Sequence, residues 1–165
     1  MKTLLLLRHA KSNWSEPQLA DHDRPLNERG RRDATRMGRL LRELQLVPNL
    51  ILSSTATRAR KTAKKAARHC GFEGSLQLEP SLYTEDAAAG LSILRAVPDE
   101  VDRVVLVAHN PALEHLLKML TGRVERMSTA TLARIDLACP RWRDLAPGDH
   151  GLVGIWRPRE LGPER

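Results

Sequence analysis

Arg8 and His9 stand side by side at the end of an apolar run, Arg58 follows a second such run, and His109 follows a third. A guanidinium offers a planar fork of N–H donors that matches two oxygens of a phosphate. Imidazole is the side chain best suited to act as base, acid or nucleophile near neutral pH. Two of each, brought together, suit one chemistry above others, the holding of a tetrahedral phosphoryl group while it is transferred. Neighbouring cations disfavour a protonated imidazole, so at least one of the two histidines is expected to be neutral, with a lone pair to attack phosphorus. Each residue alone has a plainer reading. An Arg-His pair can end a strand at the surface, an arginine can sit on any helix, and a lone histidine is usually a satisfied core group. Their recurrence in the same place after three similar runs is what makes them a site.

Those runs, residues 3–7, 50–52 and 104–108, are short and almost wholly apolar, as are strands covered on both faces in a parallel sheet. Helical periodicity lies between and after them. Over residues 31–47, Ala34, Met37, Leu41 and Leu44 recur at helical spacing. Over 58–70, Ala59, Thr62, Ala63, Ala66, Ala67 and Cys70 form a stripe of small residues, with Arg60, Lys61, Lys64, Lys65 and Arg68 read as a solvated face. A third helix is expected to start with Asn110 as its cap, the alternative being that Asn110 reaches the phosphoryl oxygen, with Pro111 in its first turn, to bury Leu113, Leu116, Leu117 and Leu120, and to stop at Gly122. A shorter one is expected over 85–96 after Thr84. Late strands are expected at 131–137 and 152–156, joined by a Pro- and Gly-containing connection over 140–151. Alternating strands and helices predict a three-layer α/β/α sandwich with a mostly parallel central sheet. Ligands in such folds gather beyond the carboxyl ends of the strands, which is where Arg8, His9, Arg58 and His109 fall.

A length of 165 residues suits one domain, 1–165, and no repeat, low-complexity tract or linker divides it. With one Phe, one Tyr and three Trp, aliphatic residues must build the core. The formal charge of +7 favours anionic ligands. The shortage of aromatics and the lack of zinc-finger or basic-zipper spacing argue against nucleic acid. Cys70 and Cys139 form no CxxC pair, and no stretch reaches membrane-spanning length, so a reducing cytoplasm is the expected setting.

The segments "LLRHAKS", "LSSTATRARKTA" and "VLVAHNPAL" resemble, in order and spacing, the three signature segments of the histidine phosphatase superfamily, the phosphoglycerate mutase-like fold. The short chain and the segment "DRPLNERG" at 23–30 are most similar to the SixA-type phosphohistidine phosphatase branch. The resemblance runs from residue 4 to about 120, and the chain beyond adds little to it. It implies that His9 is the phosphorylated nucleophile, that Arg8 and Arg58 bind phosphate, that His109 stabilises the transferring group, and that Arg24 is a further basic position at the pocket rim. It implies neither metal nor cofactor, and a phosphorylated protein or a small phosphate ester as partner. Ala10 stands where the superfamily usually has Gly, which matters only if the backbone there needs a positive φ.

A general acid is not singled out: Glu79, Glu85, Asp86, Asp21 and Asp23 are the candidates. Phosphohistidine is the favoured substrate, because an imidazole leaving group needs less protonation than an alkoxide. A small-molecule phosphomonoesterase and a non-catalytic phosphate-binding module remain the alternatives. A mutase needs an enclosed site that excludes water, and so short a chain is not expected to build one. Asp21, His22 and Asp23 lack a second ligand group at metal spacing, and "HNPALEH" has the wrong order for a helical zinc site. His115 is expected on a helix surface, Ser53, Ser54 and Thr55 in a turn that donates hydrogen bonds, and Trp14 and His22 near the entrance.

Overall fold

The computed structural model describes residues 1–163. Its centre is a six-stranded sheet ordered β3-β2-β4-β1-β5-β6, with β1 at Lys2–Arg8, β2 at Leu50–Ser53, β3 at Ser75–Leu78, β4 at Arg103–Ala108, β5 at Leu132–Leu137 and β6 at Gly151–Trp156. The first four in that order run parallel, and β5 and β6 complete the sheet antiparallel. The alternation of each apolar run across the sheet explains why helices must cover both sides. Leu4 and Leu6 point into one core with Leu52, Leu106 and the helices α3 (Ala87–Arg95) and α4 (Ala112–Thr121). Leu5 and Leu7 point into the other, with Ile51, Val105, Val107 and the helices α1 (Glu28–Glu43) and α2 (Thr57–Cys70). Each fully buried leucine contributes about 1.5–3 kcal/mol of transfer free energy, so the strand ends that carry the reactive residues are rigid. The architecture is the expected three-layer α/β/α sandwich.

Helix boundaries moved where side-chain caps or turns compete with periodicity. Helix α1 begins three residues before the expected start, because Asn27 Oδ1 accepts the Gly30 amide at 2.8 Å. It ends before Leu44, where the chain turns through Gln45 at φ 57°, leaving Leu44 at the surface. Helix α3 starts later than expected, since Asp86 caps it by accepting from Ala88 N at 2.9 Å. Asn110 does not cap α4. Pro111 occupies that position, and the Asn110 side chain turns away to donate to Glu114 Oε2 at 2.6 Å and to the Met127 carbonyl at 2.8 Å. The strand β3 was not expected: four residues, mostly exposed, at the edge of the sheet give almost no hydrophobic signal.

Two glycines allow close approaches that set the site. A Cβ at Gly38 would lie 2.7 Å from the Ala66 carbonyl, so α1 and α2 meet backbone to backbone along the small-residue stripe. A Cβ at Gly30 would lie 2.0 Å from the Lys11 carbonyl, so the first turn of α1 rests on the segment that follows His9.

Candidate active site

Sheet register brings the reactive residues to one level. Arg8 pairs with Ala108 across β1 and β4, and Ser53 pairs with Val107 across β2 and β4. The next residues of the three strands, His9, His109 and Ser54, therefore leave the sheet side by side, tied by His9 N to Ala108 O at 3.1 Å and Ser54 N to Val107 O at 2.9 Å. Thr62 locks α2 to this edge: its hydroxyl accepts from Ala10 N at 2.9 Å and donates to the Arg58 carbonyl at 2.7 Å. Ala10 lies outside the positive-φ region, where the only non-glycine residues among those described are Gln45 and Ala130. Alanine in place of glycine thus carries no backbone strain here.

The two imidazoles face each other with ring centroids 5.1 Å apart. They are 8 % and 6 % exposed for His9 and His109, and Arg58 is 6 % exposed. His9 Nδ1 lies 2.8 Å from the Ala10 carbonyl. A carbonyl only accepts, so Nδ1 carries the proton and Nε2 keeps a free lone pair. His109 Nε2 lies 2.8 Å from Ser54 Oγ. That hydroxyl also accepts from Ala56 N at 3.2 Å, and His109 Nδ1 is buried without a partner.

Both histidines are neutral at physiological pH. Burial pushes His9 down to about 3, with further lowering from His109, Arg58 and Arg8. Burial, then Arg58, pushes His109 down to about 4. Above the ordinary imidazole value of 6.5 both folded and unfolded states hold these rings neutral. Below it the unfolded chain binds protons that the folded chain does not, so stability rises with pH through this window and is lost as pH falls toward 4 and then 3. An NMR titration of the imidazole C–H signals is expected to show His9 and His109 still neutral at about pH 5, where an exposed histidine is already mostly protonated, with the melting temperature falling over the same range.

The arginines are organised by Asp21. Arg58 donates to the Asp21 carbonyl at 2.7 Å and to its Oδ2 at 3.0 Å. Arg24 donates to Asp21 Oδ1 through Nε at 3.2 Å and a terminal nitrogen at 2.9 Å. The Tyr83 hydroxyl donates to Oδ2 at 2.6 Å. This Tyr83 hydrogen bond, followed by those of Arg24 and Arg58, holds the Asp21 carboxyl well below the usual carboxylate range. Arg24, like Arg58, is held by Asp21. It is buried behind Asp21, donates to Ser12 Oγ at 2.6 Å, and lies under the exposed Trp14 ring with 3.5 Å to the centroid. Arg8 donates to the Met127 carbonyl at 3.1 Å, the same carbonyl that Asn110 binds.

A cavity of about 220 Å³ opens at this edge, lined by Asp21, Arg58, Tyr83, Glu85, His109 and Asn110 together with Thr84. Around it Arg8 Nε, Arg58 Nε, His109 Nδ1 and Asn110 Oδ1 are buried without a hydrogen-bond partner. An unpartnered buried polar atom costs about 1–3 kcal/mol, and the two guanidinium donors left open here suit an anionic ligand. Of the five acids considered, Glu85 and Asp21 line the cavity. Asp86 is occupied as a helix cap, Glu79 belongs to a different cavity beside β2, and the exposed Asp23 lies against His22. His22 meets Thr55 Oγ1 at 2.9 Å and the Tyr83 ring edge-on at 4.9 Å. Among the described residues no group of three or more His, Cys, Asp or Glu is placed to hold a metal.

Sequence reasoning missed Tyr83 and the loop at Met127. The single tyrosine of the chain, directly before Thr84, was a signal of sorts. Met127 offered none, since it contributes a backbone carbonyl.

The chain matches the family model "Histidine phosphatase superfamily (branch 1)" over residues 4–83. It is 33 % identical over 170 aligned positions to an uncharacterized chloroplastic protein of Arabidopsis thaliana, covering 95 % of this chain and 78 % of that one. It is 35 % identical to an uncharacterized protein of Mycobacterium tuberculosis over 164 positions, 93 % of this chain and 100 % of that one. Among solved structures, an Agrobacterium tumefaciens protein described as a phosphohistidine phosphatase SixA superposes with a TM-score of 0.81 at 30 % identity, covering 95 % of this chain and 98 % of that chain.

Proposed function

Because this chain belongs to branch 1 of the histidine phosphatase superfamily, in its SixA-type group, and is a phosphatase, we propose that its substrate is phosphohistidine displayed by another protein and that the phosphoryl group passes through His9. The carrying observation is the His9 ring: neutral, with Nδ1–H held by the Ala10 carbonyl and the Nε2 lone pair free beside a second neutral histidine and two arginines.

His9 Nε2 attacks phosphorus, the bond from phosphorus to the substrate imidazole breaks, and that imidazole leaves with its electron pair and takes up a proton. Water then attacks the phosphorus on His9, loses a proton, and orthophosphate departs with the His9 ring restored. Arg8 and Arg58 offset the charge on the equatorial oxygens. An incoming dianion raises the tendency of His109 to take up a second proton and stabilise the transferring group. Arg24 acts through Asp21 and Ser12 as a positioning residue. The substrate class is supported by Asp21 on the cavity wall, which Tyr83, Arg24 and Arg58 keep ionised and so without a proton to give. An alkoxide would suffer from that, whereas an imidazole collects its proton from water. The similar Agrobacterium protein described as a phosphohistidine phosphatase supports the same class.

One domain over 1–165 is the proposed catalytic unit. No helix among the described residues is long and apolar enough to cross a membrane, and with free Cys70 and Cys139 the proposed setting is the cytoplasm.

Mixing the enzyme with a phosphohistidine peptide and quenching within milliseconds is expected to trap acid-labile, base-stable phosphate on His9. No such phosphoenzyme would overturn the covalent route. A higher kcat/KM for an alkyl phosphate than for the phosphohistidine peptide would overturn the substrate class.

A further inference from the structure

A second, larger cavity of about 560 Å³ is lined in part by Lys11, in the segment that follows His9. Its cations are Lys11, Arg29, Arg126, Arg157 and Arg159, against the single carboxylate of Glu160. Arg157 is held between Glu125 and Glu160 at 3.4 and 3.3 Å, and Arg29 stands 3.6 Å from Asp33. Lys11, Arg126 and Arg159 are exposed, and their side chains make no hydrogen bond or ion pair among the described residues. Three unneutralised cations around one concave surface repel one another, so the arrangement is stabilised by an anionic occupant.

The cavity is built into the catalytic edge. Its Ser128 and Thr129 wall follows Met127, whose carbonyl receives Arg8 and Asn110, and precedes Ala130, whose amide donates to the Arg8 and His9 carbonyls at 3.1 Å each. Lys11, which also lines it, is two residues from His9. The two cavities are thus linked through the backbone of Met127, Ala130 and the segment from His9 to Lys11.

We propose that this cavity docks an acidic segment flanking the phosphohistidine of the protein substrate. The proposal rests on the substrate reading above. Its volume falls in the range of sites for a drug-sized ligand, about 300–1,000 Å³, which accommodates a few peptide side chains. No aromatic ring lines it, so the stacking platform that single-stranded nucleic acid uses is missing. The acidic peptide is favoured on that ground.

The test uses a fluorescein-labelled, unphosphorylated nonapeptide with a central histidine flanked by Asp and Glu, and a matched peptide flanked by Ser and Gln. Anisotropy is expected to show the full-length protein binding the acidic peptide at least about tenfold more tightly at low salt. That preference is expected to fade as added salt shortens the screening length from about 30 Å to about 3 Å. Arg126→Glu with Arg159→Glu is expected to abolish it, and Arg126→Gln with Arg159→Gln to weaken it, while both variants hydrolyse p-nitrophenyl phosphate within about twofold of the parent, which also reports folding. Equal affinity for the two peptides, or unchanged preference in both variants, overturns the proposal. Displacement of the acidic peptide by a single-stranded oligonucleotide of equal charge at lower concentration than by unlabelled peptide overturns it in favour of nucleic acid. Since the probe carries no phosphate, failure of the parent enzyme to hydrolyse phosphohistidine strikes the substrate reading alone and leaves the docking result to be read separately.

Discussion

His9→Ala is expected to reduce kcat by at least about 10⁴-fold while leaving inorganic phosphate binding within a few-fold of the parent. Loss of the nucleophile in a covalent route is not a partial defect, because no second group near phosphorus can take its place; comparable deletions elsewhere cost up to about 10⁶-fold. His109 is not a substitute. Its ring is tied through Nε2 to Ser54 Oγ at 2.8 Å, whereas His9 is held by Nδ1 to the Ala10 carbonyl and keeps Nε2 free. Binding survives because the arginines are placed by other elements: Arg8 by the Met127 carbonyl, and Arg58 by α2 and Asp21. Parallel steady-state kinetics and calorimetric titration with phosphate check both halves. Residual turnover within about tenfold of the parent would exclude the covalent route, and absence of turnover in the parent would leave a phosphate-binding module.

Arg58→Ala is expected to lower kcat by about 10²- to 10³-fold, the usual cost of removing one preorganised donor to a developing oxyanion. A second effect adds to the first. Arg58 supplies two of the hydrogen bonds that hold Asp21, one to its carbonyl and one to Oδ2. Without it the carboxylate keeps Arg24 and Tyr83 and remains ionised in the wall of the cavity, now facing the incoming phosphate with less positive charge to offset it. KM is therefore expected to rise as kcat falls. Arg58→Lys restores the charge but not the fork, since an ammonium is a point charge that cannot reach two acceptors in one plane. It is expected to recover KM more than kcat. A lysine variant equal to the parent in both would mean that Arg58 acts only as a counter-charge.

The positions of Arg8, His9, Arg58 and His109 were legible in the amino-acid sequence because each follows a short run of aliphatic residues, and such runs fold as central strands whatever surrounds them. The small-residue stripe of α2 was legible for the same reason: its burial pattern is local, and Ala59, Thr62, Ala63, Ala66 and Cys70 are all buried. Where a polar side chain had a choice of partner, local rules failed. Asn110 has the chemistry of a helix cap, yet Glu114 and Met127, four and seventeen residues away, outcompete the amides of α4. Arg24 has the chemistry of a rim cation, yet it is buried behind Asp21 under Trp14. The edge strand β3 escaped notice because a strand that buries little leaves little pattern.

The sequence by itself determined the order of the elements, the two-faced burial of the central strands, the delivery of Arg8, His9 and His109 to strand ends and that of Arg58 to the first turn of α2, since these follow from hydrophobic periodicity over a handful of neighbouring residues. Only the tertiary structure decided what those groups do when they arrive. The His9 proton is placed by the Ala10 carbonyl, the His109 ring is anchored by Ser54 just past β2, and the Arg58 guanidinium is held by an aspartate thirty-seven residues away. Hydrogen bonds and burial set protonation, and both depend on contacts between segments whose separation along the chain carries no local signal.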